Sequence, residues 1–255
     1  MCAVSIGFLQ EMYRESEQMP EHISLELGEK ESLLRRGLYR ALADATVGES
    51  GTGRLKVLDV GCGRGELLAL LNDRGYEAVG VDVEPACVEA ASAYGRCLQG
   101  TVEDLPGLFD PGTFDVVVCS HVLEHQDAPA EALRRMAVLR AKRYVFAVPN
   151  LLRGIRMTRA LAGSRTPDHP AHLYGWGRAE FGALLAHCGY AVTSEYPDRV
   201  TINPMSGRLG SLFSGILEPL EVRWLPRFFP LLSSSIIVGC RFLGAQSDFT
   251  QGASS

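Results

Sequence analysis

The chain has 255 residues, of which 46% are hydrophobic and 22% are charged, and its formal net charge is −5. These values are typical of a globular protein with a sizeable core, and they exclude a protein dominated by a broad nucleic-acid-binding face. Its seven cysteines include no Cys-x-x-Cys pair, which argues against a disulfide framework or a zinc ribbon and predicts reduced thiols in a cytoplasmic protein.

Membrane insertion is not expected from the apolar pattern. No segment has the ~18 uninterrupted apolar residues that a spanning helix needs. The first residues hold a short apolar run without a preceding basic segment, so we expect no signal peptide there. Peripheral contact with a membrane surface and the oligomeric state are left open.

Residues 1–54 predict an N-terminal arm followed by a helix. Apolar side chains recur at helical spacing over Glu29–Ala45, and a Gly-rich linker follows over Val47–Arg54. We expect one main domain over residues 55–243 and a flexible tail over residues 244–255, because the tail is small and polar.

From residue 55 onward, short buried strands alternate with helices. This rhythm predicts a parallel, doubly wound α/β sheet. Asp127 is the expected N-cap of the last of these helices, with Pro129 in its first turn. The predicted strands are Leu55–Val60, Tyr76–Val83, Arg96–Gly100, Phe114–Ser120 and Arg143–Asn150, and the predicted helices are Gly65–Gly75, Pro85–Gly95 and Asp127–Ala141.

Two inserts interrupt the later part of the chain. The first, residues 151–176, is irregular and rich in Gly, Pro, His and Arg, and we expect it to cover the active site. A helix (Arg178–Gly189) and a strand (Tyr190–Tyr196) follow it. The second insert, residues 203–232, is strongly apolar and precedes the last strand (Ser233–Leu243). A lid, an interface and a membrane contact all fit that composition, and we expect a lid.

The most informative motif is the Gly-rich turn in Val57–Leu67, VLDVGCGRGEL. Glycines between a strand and a helix let a ligand approach the backbone closely, but nicotinamide domains use such a turn too. A dinucleotide fingerprint needs its third glycine at position 66, where this chain has Glu66. The carboxylate of Asp59 can bind a positively charged amino group, whereas it would repel a negatively charged pyrophosphate.

Three further segments follow the turn at regular intervals. Asp82 ends the second strand about 20 residues later, where a carboxylate accepts ribose hydroxyls and Val83 would face the adenine. Leu98–Pro106 follows the third strand, and Glu103 in it could read the adenine edge. Ser120–His125, SHVLEH, leaves the fourth strand.

These motifs, in this order over roughly Leu55–Tyr196, resemble the class I S-adenosylmethionine-dependent methyltransferases. The nearest group contains the ubiquinone-biosynthesis O-methyltransferases and related small-molecule enzymes. The resemblance implies a Rossmann-like, seven-stranded, mostly parallel sheet with its last strand antiparallel. It also implies cofactor binding by Asp59, Gly61, Cys62, Gly63, Asp82, Val83, Val102, Glu103 and Ser120, with His121 near the sulfonium. The chain departs from the group by having LRAKRYVF where a Pro-Gly-Gly turn often precedes the fifth strand.

The sequence predicts O-methylation of a small or lipid-like molecule, with His121 or His172 as the candidate catalytic base. His121 and His125 are four residues apart and could share a metal ion, but no third ligand follows at usable spacing, so we expect no metal site. Two alternatives remain open. One is a catalytically silent scaffold that binds a partner through the apolar insert, and the less favoured one is a nicotinamide-dependent oxidoreductase.

Overall fold

A computed structural model describes residues 37–48, 53–153, 156–157, 161, 163, 171–200 and 220–244. The chain divides into two units, residues 1–37 and 38–255, and nearly all of the first lies outside the described residues. The strands are β1 Lys56–Val60, β2 Glu77–Asp82, β3 Arg96–Gln99, β4 Val116–Ser120, β5 Arg143–Pro149, β6 Tyr190–Tyr196 and β7 Ser235–Phe242. The helices are α1 (37–47), α2 Glu66–Asp73, α3 Pro85–Ala91, α4 Leu105–Leu108, α5 Pro129–Ala137, α6 Arg178–His187 and α7 Leu225–Phe228.

The seven strands form one sheet in the order β3-β2-β1-β4-β5-β7-β6. The first five pair in parallel, so that Leu58 on β1 lies between Val79 on β2 and Val117 on β4. β7 runs antiparallel to both β5 and β6. The predicted sheet is therefore confirmed, including its antiparallel last strand. All strand carboxyl ends of the parallel part meet at one edge, which is where ligands bind in such sheets.

The sheet has a buried core on each face because successive strand residues point to opposite sides. On one face, Leu58 and Tyr144 pack with Leu133 from α5 and Phe181 from α6. On the other face, Val57 and its strand neighbours pack with residues of α1 and α2. β5 is buried from Tyr144 to Pro149, as expected for a central strand covered on both sides.

The helices α2, α3 and α5 end two to four residues before their predicted ends, and α1, α4 and α5 differ from the sequence prediction in further details. Asp127 is not the N-cap of α5, because that helix begins at Pro129 and is preceded by Ala128 in a non-helical conformation, without a side-chain cap. Proline has no N–H and a preset φ, so it starts the helix itself. α4 is a short helix where the sequence predicts none. α1 reaches residue 47, and the part of its prediction before residue 37 lies outside the described residues.

The end of the second insert is fastened to the sheet near the carboxyl end of β5. The Asn150 side-chain amide donates to the carbonyls of Leu231 and Ser233 at 2.9 and 2.8 Å. Arg199 pairs with the fully buried Glu221, and the Val200 N–H donates to the Glu221 carbonyl at 3.0 Å. Residues 203–219 of this insert lie outside the described part of the chain.

None of the helices in the described ranges combines the length and the apolarity that crossing a membrane requires. Pro226 and Pro230 lie in the first turns of the short helical segments Leu225–Phe228 and Pro230–Leu232.

Gly80 on β2 is a position where added volume should destabilise the fold. A Cβ there would lie 2.7 Å from Cys62 Sγ and 3.1 Å from Cys97 Sγ. We expect Gly80→Ala to lower the free energy of unfolding by about 1–3 kcal/mol, the usual cost of overpacking. Urea denaturation measures this loss.

Gly107→Ala is the matched control, because a Cβ at Gly107 meets nothing within 4 Å and the residue lies in a helix. Its effect should be neutral or slightly stabilising. Equal unfolding midpoints for the two variants would contradict the packing assigned to Gly80.

Candidate active site

A tight glycine turn joins β1 to α2. Gly61, Gly63 and Gly65 have φ angles of 75°, 54° and 89°, a region that residues with side chains rarely adopt. A Cβ at Gly61 would in addition lie 2.2 Å from Val122 Cγ2, in the segment that follows β4. Glycine at position 61 thus lets the β1 turn approach the exit of β4.

The backbone N–H groups of this turn already have acceptors inside the protein. Gly61 and Cys62 both donate to the Val81 carbonyl, at 2.8 and 3.1 Å, and Gly65 donates to the Cys62 carbonyl at 3.1 Å. The Gly63 N–H donates to Asp82 Oδ2 at 2.8 Å. A turn that cradles a pyrophosphate needs such N–H groups for the ligand, so this arrangement does not favour a dinucleotide.

Asp82 lies at the end of β2 and braces two neighbouring loops. Its Oδ2 accepts from Gly63, and its Oδ1 accepts from the Glu84 N–H at 3.0 Å. Each carboxylate oxygen can accept a further hydrogen bond, so the group still has acceptor capacity for ligand hydroxyls. Val83 follows with 63% of its surface exposed, which leaves an apolar side chain beside that carboxylate.

Acidic groups surround the turn. Asp59 is buried, and its pKa is raised to about 7, first by desolvation and then by the charges of Asp82 and Glu66. Glu66 Oε2 is buried and has no hydrogen-bond partner within the described residues. A buried carboxylate with a raised pKa and a buried carboxylate oxygen without a hydrogen-bond partner both favour a positively charged ligand at this position.

The remaining predicted cofactor residues occupy the same carboxyl edge. Val102 is buried, so its contribution to a ligand is limited to its backbone, whereas Glu103 is exposed. Ser120 ends β4 and is half-buried. Cys62 is buried and its thiol pKa is raised by desolvation, which suits packing and not nucleophilic chemistry.

His121 leaves β4 in a strained conformation, with φ of 56° for a residue that has a side chain. Its Nδ1 lies 3.0 Å from Glu124 Oε1, and its Nε2 lies 3.2 Å from Ser235 Oγ. Glu124 is completely buried. Asp198, also buried, accepts the Ser235 N–H at 3.2 Å, and desolvation raises its pKa. His121 is thus held by elements that come from distant parts of the chain.

His172, the second candidate base, also lies close to Glu124. The Leu173 N–H donates to the Glu124 carbonyl at 2.9 Å, which fastens this loop to the turn after β4. The rings of His125 and His172 meet edge to face with centroids 4.9 Å apart. One ligand atom from each of Glu124, His125 and His172 lies within 4.8 Å of the other two.

Sequence reasoning missed Glu124, Glu66 and Ser235 as parts of the site. Glu124 was visible only as one letter of SHVLEH, and Ser235 lies 114 residues from the histidine that it contacts. The spacing argument against a metal ion also overlooked His172, which the fold brings next to His125. The roles assigned to the predicted site residues stay predictions.

Comparison with known proteins gives a consistent result. Residues 27–195 match the family model described as a methyltransferase domain. A mitochondrial ubiquinone biosynthesis O-methyltransferase from Schizosaccharomyces pombe is 36% identical over 85 residues, 31% of each chain. The corresponding Psychrobacter cryohalolentis enzyme is 36% identical over 108 residues, covering 39% of this chain and 42% of that protein. The matches therefore span about a third to two fifths of these relatives.

Solved structures agree on the architecture. The magnesium protoporphyrin IX methyltransferase from Synechocystis, with bound S-adenosylhomocysteine, aligns with a TM-score of 0.56 at 18% identity over 83% of this chain and 86% of its own. The Burkholderia thailandensis 1,6-didemethyltoxoflavin-N1-methyltransferase aligns with the same score and identity over 96% and 93%. At this identity the likeness shows the fold alone.

The raised pKa of Asp59 predicts a specific dependence of stability on pH. Between about pH 4 and 7 the folded protein keeps a proton that the unfolded chain releases, so this group lowers the free energy of unfolding as the pH rises and has no further effect above about pH 7. Asp59→Asn should remove that slope. The stability of the variant relative to the wild type should then increase up to about pH 7 in urea denaturation.

Asp73→Asn is the control, because Asp73 is an exposed residue at the end of α2. Its pH profile should parallel that of the wild type. Parallel profiles for Asp59→Asn as well would show that Asp59 is ionised in the folded protein throughout this range.

Proposed function

The chain belongs to the methyltransferase domain family, and we propose that it transfers a methyl group from S-adenosylmethionine to a hydroxyl oxygen of a small hydrophobic or lipid-like molecule. Family membership confirms the resemblance to class I S-adenosylmethionine-dependent methyltransferases. The observation that carries the proposal is the set of three carboxylates, Asp59, Glu66 and Asp82, around the glycine turn.

The charge of this site fits the proposed cofactor. S-adenosylmethionine has a positively charged ammonium group and a positively charged sulfur, whereas a dinucleotide presents a negative pyrophosphate. The pKa of Asp59 is raised, and Glu66 Oε2 is buried without a hydrogen-bond partner among the described residues. A nearby cation relieves both conditions. In this proposal Asp82 accepts the ribose hydroxyls, Val83 packs on the adenine, and the segment of Val102 and Glu103 faces the adenine edge.

When bound, S-adenosylmethionine supplies a methyl group on a cationic sulfur that is already activated for in-line displacement. The protein then has to position the acceptor and remove its proton. His121 is the proposed base, because Glu124 accepts from its Nδ1 and so leaves the lone pair on Nε2 in the neutral ring. A carboxylate behind an imidazole also stabilises the protonated ring.

The apolar residues 220–232 support a hydrophobic acceptor. Trp224, Phe228, Phe229 and Leu231 each expose more than half of their surface, although this segment is fastened beside the end of β5. Large apolar side chains in such a cluster favour an apolar ligand or surface. The curated relatives are named for ubiquinone biosynthesis, which agrees with a lipid-like acceptor. We propose that the described part of this insert, residues 220–232, forms one wall of the acceptor site.

The first prediction of this proposal concerns cofactor choice. S-adenosylhomocysteine at about 100 times its Kd should stabilise the protein by about 2.7 kcal/mol, and NAD should not.

Asp82→Ala should weaken S-adenosylhomocysteine binding more than tenfold, since hydrogen bonds to a charged group contribute about 1.5–3 kcal/mol. Asp73→Ala serves as a surface control and should bind like the wild type. Thermal shift and calorimetry measure both effects, and a response to NAD alone would refute the proposed cofactor.

The second prediction concerns the proposed base. With an acceptor identified from hydrophobic phenols and a radiolabelled methyl donor, His121→Ala should lower kcat by about 10²–10⁴-fold, because that is the usual contribution of general base catalysis. The affinity for S-adenosylhomocysteine should stay within a factor of a few. His187→Ala, at the exposed end of α6, is the control. Wild-type turnover by His121→Ala would remove His121 from the chemistry.

A further inference from the structure

We propose that Glu124, His125 and His172, here called the EHH cluster, bind a divalent transition-metal ion at the carboxyl edge of the sheet. One ligand atom from each residue lies within 4.8 Å of the other two, a spacing that small side-chain movements can close around a single ion. Metal binding by the cluster stands on this geometry, whereas its part in catalysis rests on the proposed function.

One oxygen atom of the Glu124 carboxylate has no hydrogen-bond partner among the described residues. Glu124 is completely buried, and its Oε1 is engaged by His121 Nδ1 at 3.0 Å. Its Oε2 is also buried, and in the described part of the chain it has no hydrogen-bond partner. A buried charged oxygen without a partner is costly and is rare in folded proteins, which points to a cation at this position.

His125 is oriented in the way that metal-binding histidines usually are. Its Nδ1 donates to the Ala171 carbonyl at 3.0 Å, so in the neutral ring the lone pair is on Nε2. A second hydrogen bond of this kind fixes the ring and its tautomer in most metal sites. The hydrogen bond from His121 to Glu124 Oε1 does the same for the carboxylate.

The loop that carries His172 is held in place independently of any ion. The Leu173 N–H donates to the Glu124 carbonyl at 2.9 Å, and the Tyr174 hydroxyl donates to the Asp127 carbonyl at 2.9 Å. The segments on both sides of the cluster are thereby joined before a metal binds. Prior alignment of the ligands lowers the ordering cost of binding.

Two imidazoles and one carboxylate define the class of ion. Imidazole suits Zn²⁺, Co²⁺ and related transition metals, whereas Mg²⁺ and Ca²⁺ prefer ligand sets made only of oxygen. Three protein ligands leave at least one coordination position open, as in catalytic zinc sites. An acceptor hydroxyl at that position would have a lowered pKa, and its proton would pass to Nε2 of His121, which shares Glu124 with the cluster.

The test is a calorimetric titration of the full chain, freed of metals by chelation and dialysis, with ZnCl₂, CoCl₂ and MgCl₂. We expect one stoichiometric site for Zn²⁺ and Co²⁺ and much weaker binding of Mg²⁺. The Co²⁺ spectrum should lack the thiolate charge-transfer band, which separates the EHH cluster from the cysteines. His125→Ala and His172→Ala should each weaken Zn²⁺ binding at least tenfold, whereas the control His187→Ala should bind like the wild type.

Circular dichroism checks the fold of each variant. If His125→Ala loses the native spectrum, His172→Ala carries the test, because His172 lies on a loop whose neighbouring residues are exposed. Absence of a stoichiometric site, a thiolate band in the Co²⁺ spectrum, or unchanged affinity in His172→Ala would overturn the proposal. Binding of S-adenosylhomocysteine to the metal-free protein, measured in parallel, shows whether the proposed function survives that result.

Discussion

In the proposed function, the cofactor end of the site depends on one constraint, the buried carboxylate of Asp59. The residue lies inside β1, where a hydrophobic side chain would pack well, and it has Asp82 and Glu66 as negatively charged neighbours. The arrangement is therefore best explained by a cationic ligand, because a cation relieves the desolvation and the repulsion together.

The proposed acceptor site lies at the same edge of the sheet. β4 and β5 end there, and β7 begins beside them, so that His121, Glu124 and Ser235 meet although they come from separate elements. Glu124 connects the two proposals made for this edge, since its Oε1 orients His121 and its carboxylate belongs to the EHH cluster. The fastening of residues 220–232 to Asn150 places an apolar segment close to these polar groups.

Much of this could be predicted from the sequence, for physical reasons that are local. The alternation of strands and helices and the glycine turn follow from periodicity and from conformations that glycine alone adopts readily. The N-cap at Asp127 was wrong because Pro129 outweighs a capping side chain, and α4 was missed because its four residues carry too short a pattern. The pairing of Glu124 with His172 could not be predicted, since it depends on how a loop returns to the turn after β4.

Proton release on cofactor binding tests the central claim most directly. Titration of S-adenosylmethionine in buffers of different ionisation enthalpy counts the protons exchanged on binding. If the cation needs ionised Asp59, whose pKa is about 7 in the ligand-free protein, binding should release up to one proton below that pH and none well above it. Asp59→Asn should release none from this group. The absence of proton release below pH 7 in the wild type would contradict the account.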